Sequence, residues 1–112
     1  MKVPDSTPLA LAGLSDYSEG AIVSRSVIQS EAGNITFFAF AEGEVLSPHS
    51  APYDAFVAVV EGRAMIMVGG VENHLSAGQM IIMPANVPHA VQAETAFKML
   101  LVMIKGKRPV GS

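Results

Sequence analysis

The sequence predicts a single all-β domain built as a sandwich or barrel. From residue 20 onward, short apolar runs of β type alternate with turn residues at fairly regular spacing, a pattern typical of such folds. Half of the 112 residues are hydrophobic, so the chain can bury a core of the size usual for one domain. We therefore expect one core, formed mainly by strands.

The predicted strands are short and are separated by recognisable turns. Glu61 and Gly62 form a tight hairpin turn, and Pro84 ends an apolar run because proline cannot donate a ladder hydrogen bond. The one helical candidate, residues 8–14, contains Gly13 and is too short for more than a turn or two. Eight strands are predicted, at residues 21–29, 34–41, 55–60, 63–68, 71–75, 80–83, 89–93 and 97–104.

Some predicted strands are apolar on both faces. Phe97 and residues 99–104 include apolar residues at odd and even positions, where a half-buried strand would alternate with polar residues. One face of a small barrel points inward, so the other face must pack against a second sheet or a partner subunit. A homodimer is the natural expectation.

Composition and charge argue against several classes of partner. The net charge of -3 comes from scattered acidic and basic residues, and the basic tail of Lys105, Lys107 and Arg108 is too short to form a nucleic-acid footprint. No apolar run approaches the roughly 20 residues of a membrane-spanning helix, and residues 1–14 do not resemble a signal peptide. We therefore expect a cytoplasmic protein that binds neither nucleic acid nor membrane.

Two groups of residues show a spaced pattern with a hairpin between them. In the first, five residues separate Gly43 from His49, and Gly62 follows at the hairpin; in the second, five residues separate Gly78 from Pro84, and His89 follows. This spacing resembles the paired motifs of the cupin superfamily, and the likeness spans about residues 20–104. The resemblance implies a double-stranded β-helix, or jelly roll, at residues 20–105, with an N-terminal extension at 1–19 and a C-terminal tail at 106–112.

The resemblance also implies a binding site inside the barrel, from which this sequence departs. Metal-binding cupins use two histidines and a glutamate of the first motif with the histidine of the second, a donor set suited to Fe, Mn, Ni, Cu or Zn. Here His49 and His89 remain, whereas Ala51 and Ala55 occupy the other two positions. In the second motif Asn86 and Ala93 replace the usual glycine and asparagine.

The nearest carboxylate to the vacated positions is that of Asp54. Side chains alternate along a strand, so Asp54 would point away from the metal unless the turn at Pro52 and Tyr53 breaks the alternation. The chain has no cysteine, so a metal must bind histidine, carboxylate or water. The predicted metal ligands are therefore His49, His89 and Asp54, for one divalent ion of Fe, Mn, Ni or Zn, with a metal-free site as the alternative.

Apolar side chains on the predicted inner face would line a pocket around the histidines. Methionine adapts to irregular space and to varied ligands. His74 lies outside both motifs, so a surface hydrogen bond explains it. The predicted lining residues are Phe38, Phe40, Tyr53, Met65, Met83 and Met103.

Three functions are compatible with these residues. In the first, the metal polarises or activates a small molecule in reactions of the isomerase, lyase or oxygenase type. In the second, the barrel is a non-catalytic, metal-free domain that binds or senses a small molecule, which the loss of two ligand positions favours. In the third, the barrel is a structural partner of another protein. The family implies this breadth and does not specify one reaction.

Overall fold

The computed structural model describes residues 2–111 and confirms the all-β class. Its helical content in this range is one 3-10 turn at Leu11–Gly13, and no helix within it could cross a membrane. The strands are β1 Ile22–Ser30, β2 Gly33–Phe40, β3 Val45–His49, β4 Asp54–Glu61, β5 Arg63–Val68, β6 Val71–Ser76, β7 Met80–Met83, β8 His89–Ala93 and β9 Phe97–Ile104.

The strands form two antiparallel sheets. A large sheet has the order β1-β2-β9-β4-β7, and a small sheet has the order β3-β8-β5-β6. Five of the seven strand pairs join strands that are not consecutive in the chain, for example β2 with β9 and β3 with β8. The two sheets face each other, and their inward side chains form the core.

Strand β3 is the element that the sequence prediction missed. It contains Ser47 and Pro48, which are typical of a loop, and it pairs only with β8 at the edge of the small sheet. An edge strand tolerates proline because one side of its backbone makes no ladder bonds. The missed strand carries His49 at its last position.

Aromatic stacking holds the centre of the core. The rings of Phe40 and Phe97, on adjacent strands of the large sheet, stack with their centroids 4.6 Å apart, and both residues are fully buried. Burying one such ring contributes about 1.5–3 kcal/mol. The partly buried Phe38 packs beside Phe40 at 6.0 Å.

The N-terminal segment covers part of the outer face of the large sheet. Phe37 is fully buried although it points opposite to Phe38 and Phe40. The Lys98 ammonium donates to the Ala12 carbonyl at 2.6 Å, and the Arg25 guanidinium donates to that of Leu14 at 2.7 Å. These bonds fix the segment over β1, β2 and β9.

We expect Gly62→Ala to destabilise the protein by about 2–5 kcal/mol, because left-handed strain and steric overlap add. Gly62 has a φ of +77°, and a Cβ there would lie 2.2 Å from the Ala96 carbonyl oxygen and 2.8 Å from the Phe97 Cβ. Urea unfolding measures the effect. Gly43→Ala is the matched control, since Gly43 has a φ of +82° but open space around it, so only the strain of about 1–2 kcal/mol applies. Equal losses in the two variants would contradict the steric argument.

Candidate functional site

The pairing of β3 with β8 brings His49 and His89 together. The two residues are Cα partners across these strands, so their side chains lie on the same face of the small sheet. The ring centroids are 4.3 Å apart, and the two Nε2 atoms are 3.0 Å apart. Residues 40 positions apart in the chain therefore meet at one point.

The same local sequence, Pro-His, sets the orientation of both rings. The Nδ1 atom of His49 lies 2.9 Å from the Ser47 carbonyl oxygen, and that of His89 lies 3.3 Å from the Val87 carbonyl oxygen. In each case the accepting residue precedes a proline, which restricts it to extended conformations and fixes its carbonyl.

These two contacts favour the same tautomer of each imidazole. A carbonyl oxygen only accepts, so a hydrogen bond at each of these contacts requires the proton on Nδ1. In the neutral rings both Nε2 atoms are then unprotonated, and their lone pairs converge. With this tautomer in both rings, the 3.0 Å contact between the Nε2 atoms is not a direct hydrogen bond. A proton donor or a cation at the common point would then satisfy both lone pairs.

The two histidines differ in exposure. His49 is exposed, whereas His89 is only 9% exposed. Burial, and next the neighbouring His49, lower the pKa of His89 below its ordinary value, against a smaller opposite effect of the Val87 carbonyl. His89 is therefore neutral at pH 7, the protonation state that coordinates metals.

A small cavity of about 70 Å³ adjoins the histidine pair. Of the residues predicted to line a pocket, Tyr53, Met83 and Met103 contribute to its wall. Ala51 and Ala55, at the vacated ligand positions, also line it, so methyl groups stand where the resemblance implies a histidine and a glutamate. The further lining residues are Leu46, Val91, Met99 and Leu101.

The structure does not place Phe38, Phe40 or Met65 at this cavity. The two phenylalanines pack together in the core, with Phe40 stacked on Phe97, farther along the barrel from the histidines. Met65 alternates with the buried Ala64 and Ile66, so its side chain points to the opposite face of β5. The prediction of a lining role for these three residues was wrong.

Asp54 is not brought to the histidines either, which corrects its prediction as a third ligand. Alternation holds at the start of β4: Ala55 points into the barrel, and Asp54 points out. Its carboxylate accepts hydrogen bonds from Arg108 at 2.8 and 3.1 Å and from the Ala85 amide at 3.0 Å. Within residues 2–111 no cluster of three His, Cys, Asp or Glu side chains could hold a metal.

His74 lies apart from this site. Its imidazole is exposed on β6 and bonds to the Glu94 carboxylate through Nδ1. It forms a surface contact, and we assign it no part in the cavity.

Comparison with protein families and solved structures places the fold. The sequence model of the cupin domain family matches residues 36–105, which is more than half of the chain. A comparison with curated proteins gives no match. The family match confirms the predicted jelly-roll barrel.

Three solved structures illustrate the likeness. A conserved protein of unknown function from Streptococcus pyogenes is 32% identical, with a TM-score of 0.90, and the match covers 96% of this chain and 95% of that one. A cupin superfamily protein from Desulfitobacterium hafniense is 29% identical, with a TM-score of 0.87 and coverage of 93% and 95%. A cupin 2 conserved barrel domain protein from Leptotrichia buccalis is 42% identical, with a TM-score of 0.81, and the match covers 84% of this chain and 46% of that one.

We expect Asp54→Asn to reduce the free energy of unfolding at neutral pH and to have less effect in acid. Hydrogen bonds from Arg108, and next that from the Ala85 amide, hold the pKa of Asp54 below its ordinary value. A carboxyl group of this kind stabilises the fold above its unfolded pKa of about 4 and loses that contribution as the pH falls through its folded pKa.

Urea unfolding of both proteins at pH 7 and pH 3 measures this change. Arg108→Gln is the companion variant, because it removes the same ion pair from the other side. A difference between wild type and Asp54→Asn that stays constant or grows on acidification would contradict the assignment.

Proposed function

Since this chain belongs to the cupin domain family, we propose that its barrel binds one metal ion between His49 Nε2 and His89 Nε2, and that the ion binds a small molecule. The observation that carries the proposal is the tautomer pair. Each Nδ1 lies within hydrogen-bonding distance of a backbone carbonyl, which favours the proton on Nδ1, and the two Nε2 atoms face each other at 3.0 Å.

The spacing of the two nitrogens fits a metal. Two ligands that each lie ~2.1 Å from one ion are ~3.0 Å apart at right angles and ~3.4 Å apart at a tetrahedral angle. The Nε2 atoms are 3.0 Å apart, so a tetrahedral or trigonal site needs a small movement of the exposed His49 ring. The neutral state of His89 supports binding, since a protonated imidazole has no lone pair to give. The donor set therefore fits an ion with two protein ligands.

The size of the cavity favours an ion over a large ligand. Pockets for drug-sized molecules hold roughly 300–1,000 Å³, whereas this cavity holds about 70 Å³. A cavity needs roughly 10–15 Å³ by this measure to hold one water molecule, so the space suits an ion with a few small ligands. A larger substrate would reach the ion from the side of the exposed His49.

Two protein ligands leave several coordination positions open. A metal bound there acts as a Lewis acid on an oxygen of the substrate, which suits isomerase, lyase or oxygenase-type reactions. His49 and His89 hold the ion, and the apolar wall limits the access of water to the side of the exposed His49. The Tyr53 hydroxyl is a further hydrogen-bond donor among the lining residues and could orient a substrate oxygen.

A second candidate is a metal-free barrel that binds a small molecule directly. The alanines at positions 51 and 55 favour it, because they remove half of the ligand set that the family implies. In this case the unprotonated Nε2 atoms would accept hydrogen bonds from the ligand. Thermal stabilisation by a small molecule that survives chelation would support this candidate.

We also propose that the protein is a homodimer that buries an apolar patch on the outer face of the large sheet. Four of its residues, Ile28, Met80, Ile82 and Ile104, are 46–56% exposed, and contiguous exposed apolar surface marks interaction sites. An open hollow of about 510 Å³ beside Phe56 and Ile82 could receive side chains of a second copy. The patch consists of Ile28, Ile35, Phe56, Met80, Ile82, Leu100, Val102 and Ile104.

For the metal site, we expect wild type to take up one equivalent of metal and His49→Ala or His89→Ala to lose most of it. Removing one of two ligands should weaken binding by more than the ~10–100-fold that loss of a supporting contact costs. Elemental analysis after titration of chelator-treated protein with Fe, Mn, Ni and Zn measures this uptake. His74→Ala is the control and should bind like wild type. Failure of wild type to take up any metal would overturn the proposal.

For the dimer, we expect Ile82→Glu to yield a monomer, because a charge in the centre of an apolar interface loses its hydration without gaining a partner. Sedimentation velocity measures the assembly state. Val71→Glu is the control, since Val71 is 62% exposed on the small sheet, away from the patch. A wild type that sediments as a monomer, or a dimeric Ile82→Glu, would refute this interface.

A further inference from the structure

The wall of the cavity offers sulfur in addition to the two histidines. Met83, Met99 and Met103 all line the 70 Å³ space beside His49 and His89. Met83 and Met99 are buried, at 4% and 1% exposure. The three methionine side chains therefore line the same small cavity as the two imidazoles.

Carboxylates are missing from this wall. Among the described residues, the lining side chains with donor atoms are those of two histidines, one tyrosine and three methionines, and the others are alanine, valine and leucine. Hard divalent ions such as Mn²⁺ favour carboxylate and carbonyl oxygens, whereas thioether sulfur selects the soft ion Cu(I). The donor set is of the soft type.

On the basis of the proposed two-histidine site, we propose that the ion it binds is Cu(I), with at least one methionine thioether of the cavity as a third ligand. Two imidazole nitrogens and one sulfur complete the low coordination number that Cu(I) accepts. The site would thus differ in metal class from the divalent metal that the family motif implies.

The charge of the ion supports this choice. The cavity provides neutral ligands and an apolar wall, so no side chain at the site neutralises the charge of the metal. Because the Born energy of desolvation rises with the square of the charge, a monovalent ion is far less costly to bury there than a divalent one.

A methionine sulfur must also be able to reach the ion, and the flexibility of the side chain allows this. Its unbranched side chain has three rotatable bonds, so a sulfur can move toward the ion without displacement of the backbone. Met83 and Met103 are Cα partners of the same residue, Ala55, on its two sides. The small side chain of Ala55 leaves room between them.

Competition with the Cu(I) chelator bicinchoninate, under nitrogen and with ascorbate present, tests the inference. Three proteins are compared: wild type, a cavity variant with Met83→Leu, Met99→Leu and Met103→Leu, and a control variant with Met65→Leu and Met67→Leu. The control methionines lie in strands but point away from the cavity. Methionine-to-leucine exchange conserves volume, and urea unfolding verifies that each variant folds.

We expect wild type and the control variant to bind one equivalent of Cu(I) with equal affinity. The cavity variant should bind it at least ~10-fold more weakly, because a lost ligand costs no less than a lost supporting contact. Its Zn(II) affinity should stay unchanged, because zinc does not favour thioethers. A Cu(I) affinity of the cavity variant equal to that of wild type would overturn the inference.

If the cavity variant does not fold, X-ray absorption at the copper edge of the wild-type complex decides the question. A sulfur scatterer in the first shell supports the inference, and a shell of nitrogen and oxygen alone overturns it. The two proposals fail differently. If zinc uptake depends on His49 but Cu(I) binding does not depend on the methionines, only the copper inference is overturned. If the protein takes up no metal at all, the proposed metal site itself is overturned.

Discussion

The site depends on one constraint, the register that places His49 opposite His89 at the end of the β3–β8 pair. A shift of this register by one residue would turn one imidazole to the other face of the sheet. The repeated Pro-His sequence then adds orientation, because each ring donates to the carbonyl of the residue before its proline. Pairing sets the distance between the rings, and these local bonds set the direction of both lone pairs.

The barrel around the histidine pair leaves space only for a small ion or molecule in a largely apolar cavity. Alternation along β4 and β9 sends Ala55, Met99, Leu101 and Met103 inward, and this wall narrows the space to about 70 Å³. The alanines at positions 51 and 55 make the site poorer in ligands than the family motif implies. In the proposed site, the small side chains of these two alanines also leave room for the flexible methionine thioethers. The absence of carboxylate and imidazole donors and the space for sulfur donors would then have the same cause.

The sequence predicted the parts of the site that depend on spacing. The positions of His49 and His89 relative to glycine and proline were readable from the chain. Asp54 was wrongly predicted as a ligand, because the turn at Pro52 and Tyr53 was expected to break a strand alternation that in fact holds. Strand parity indicates which side chains point inward but not how far along the barrel each one lies from the histidines. Phe38 and Phe40 were therefore assigned to the pocket, although they pack in the core. Met99 and Leu101 could have been found, because they share the parity of Met103 in β9. Strand β3 was missed because Pro48 suggests a loop unless its edge position is known.

The central claim is that two unprotonated Nε2 atoms converge, which distinguishes a metal site from a closed hydrogen bond between two histidines. Long-range ¹H–¹⁵N correlation NMR of the metal-free protein, at a pH well above the ordinary histidine pKa of about 6.5, reports which nitrogen of each ring carries the proton. We predict protonated Nδ1 and unprotonated Nε2 in both rings. A proton on Nε2 of either His49 or His89, bonded directly to the other ring, would contradict the account.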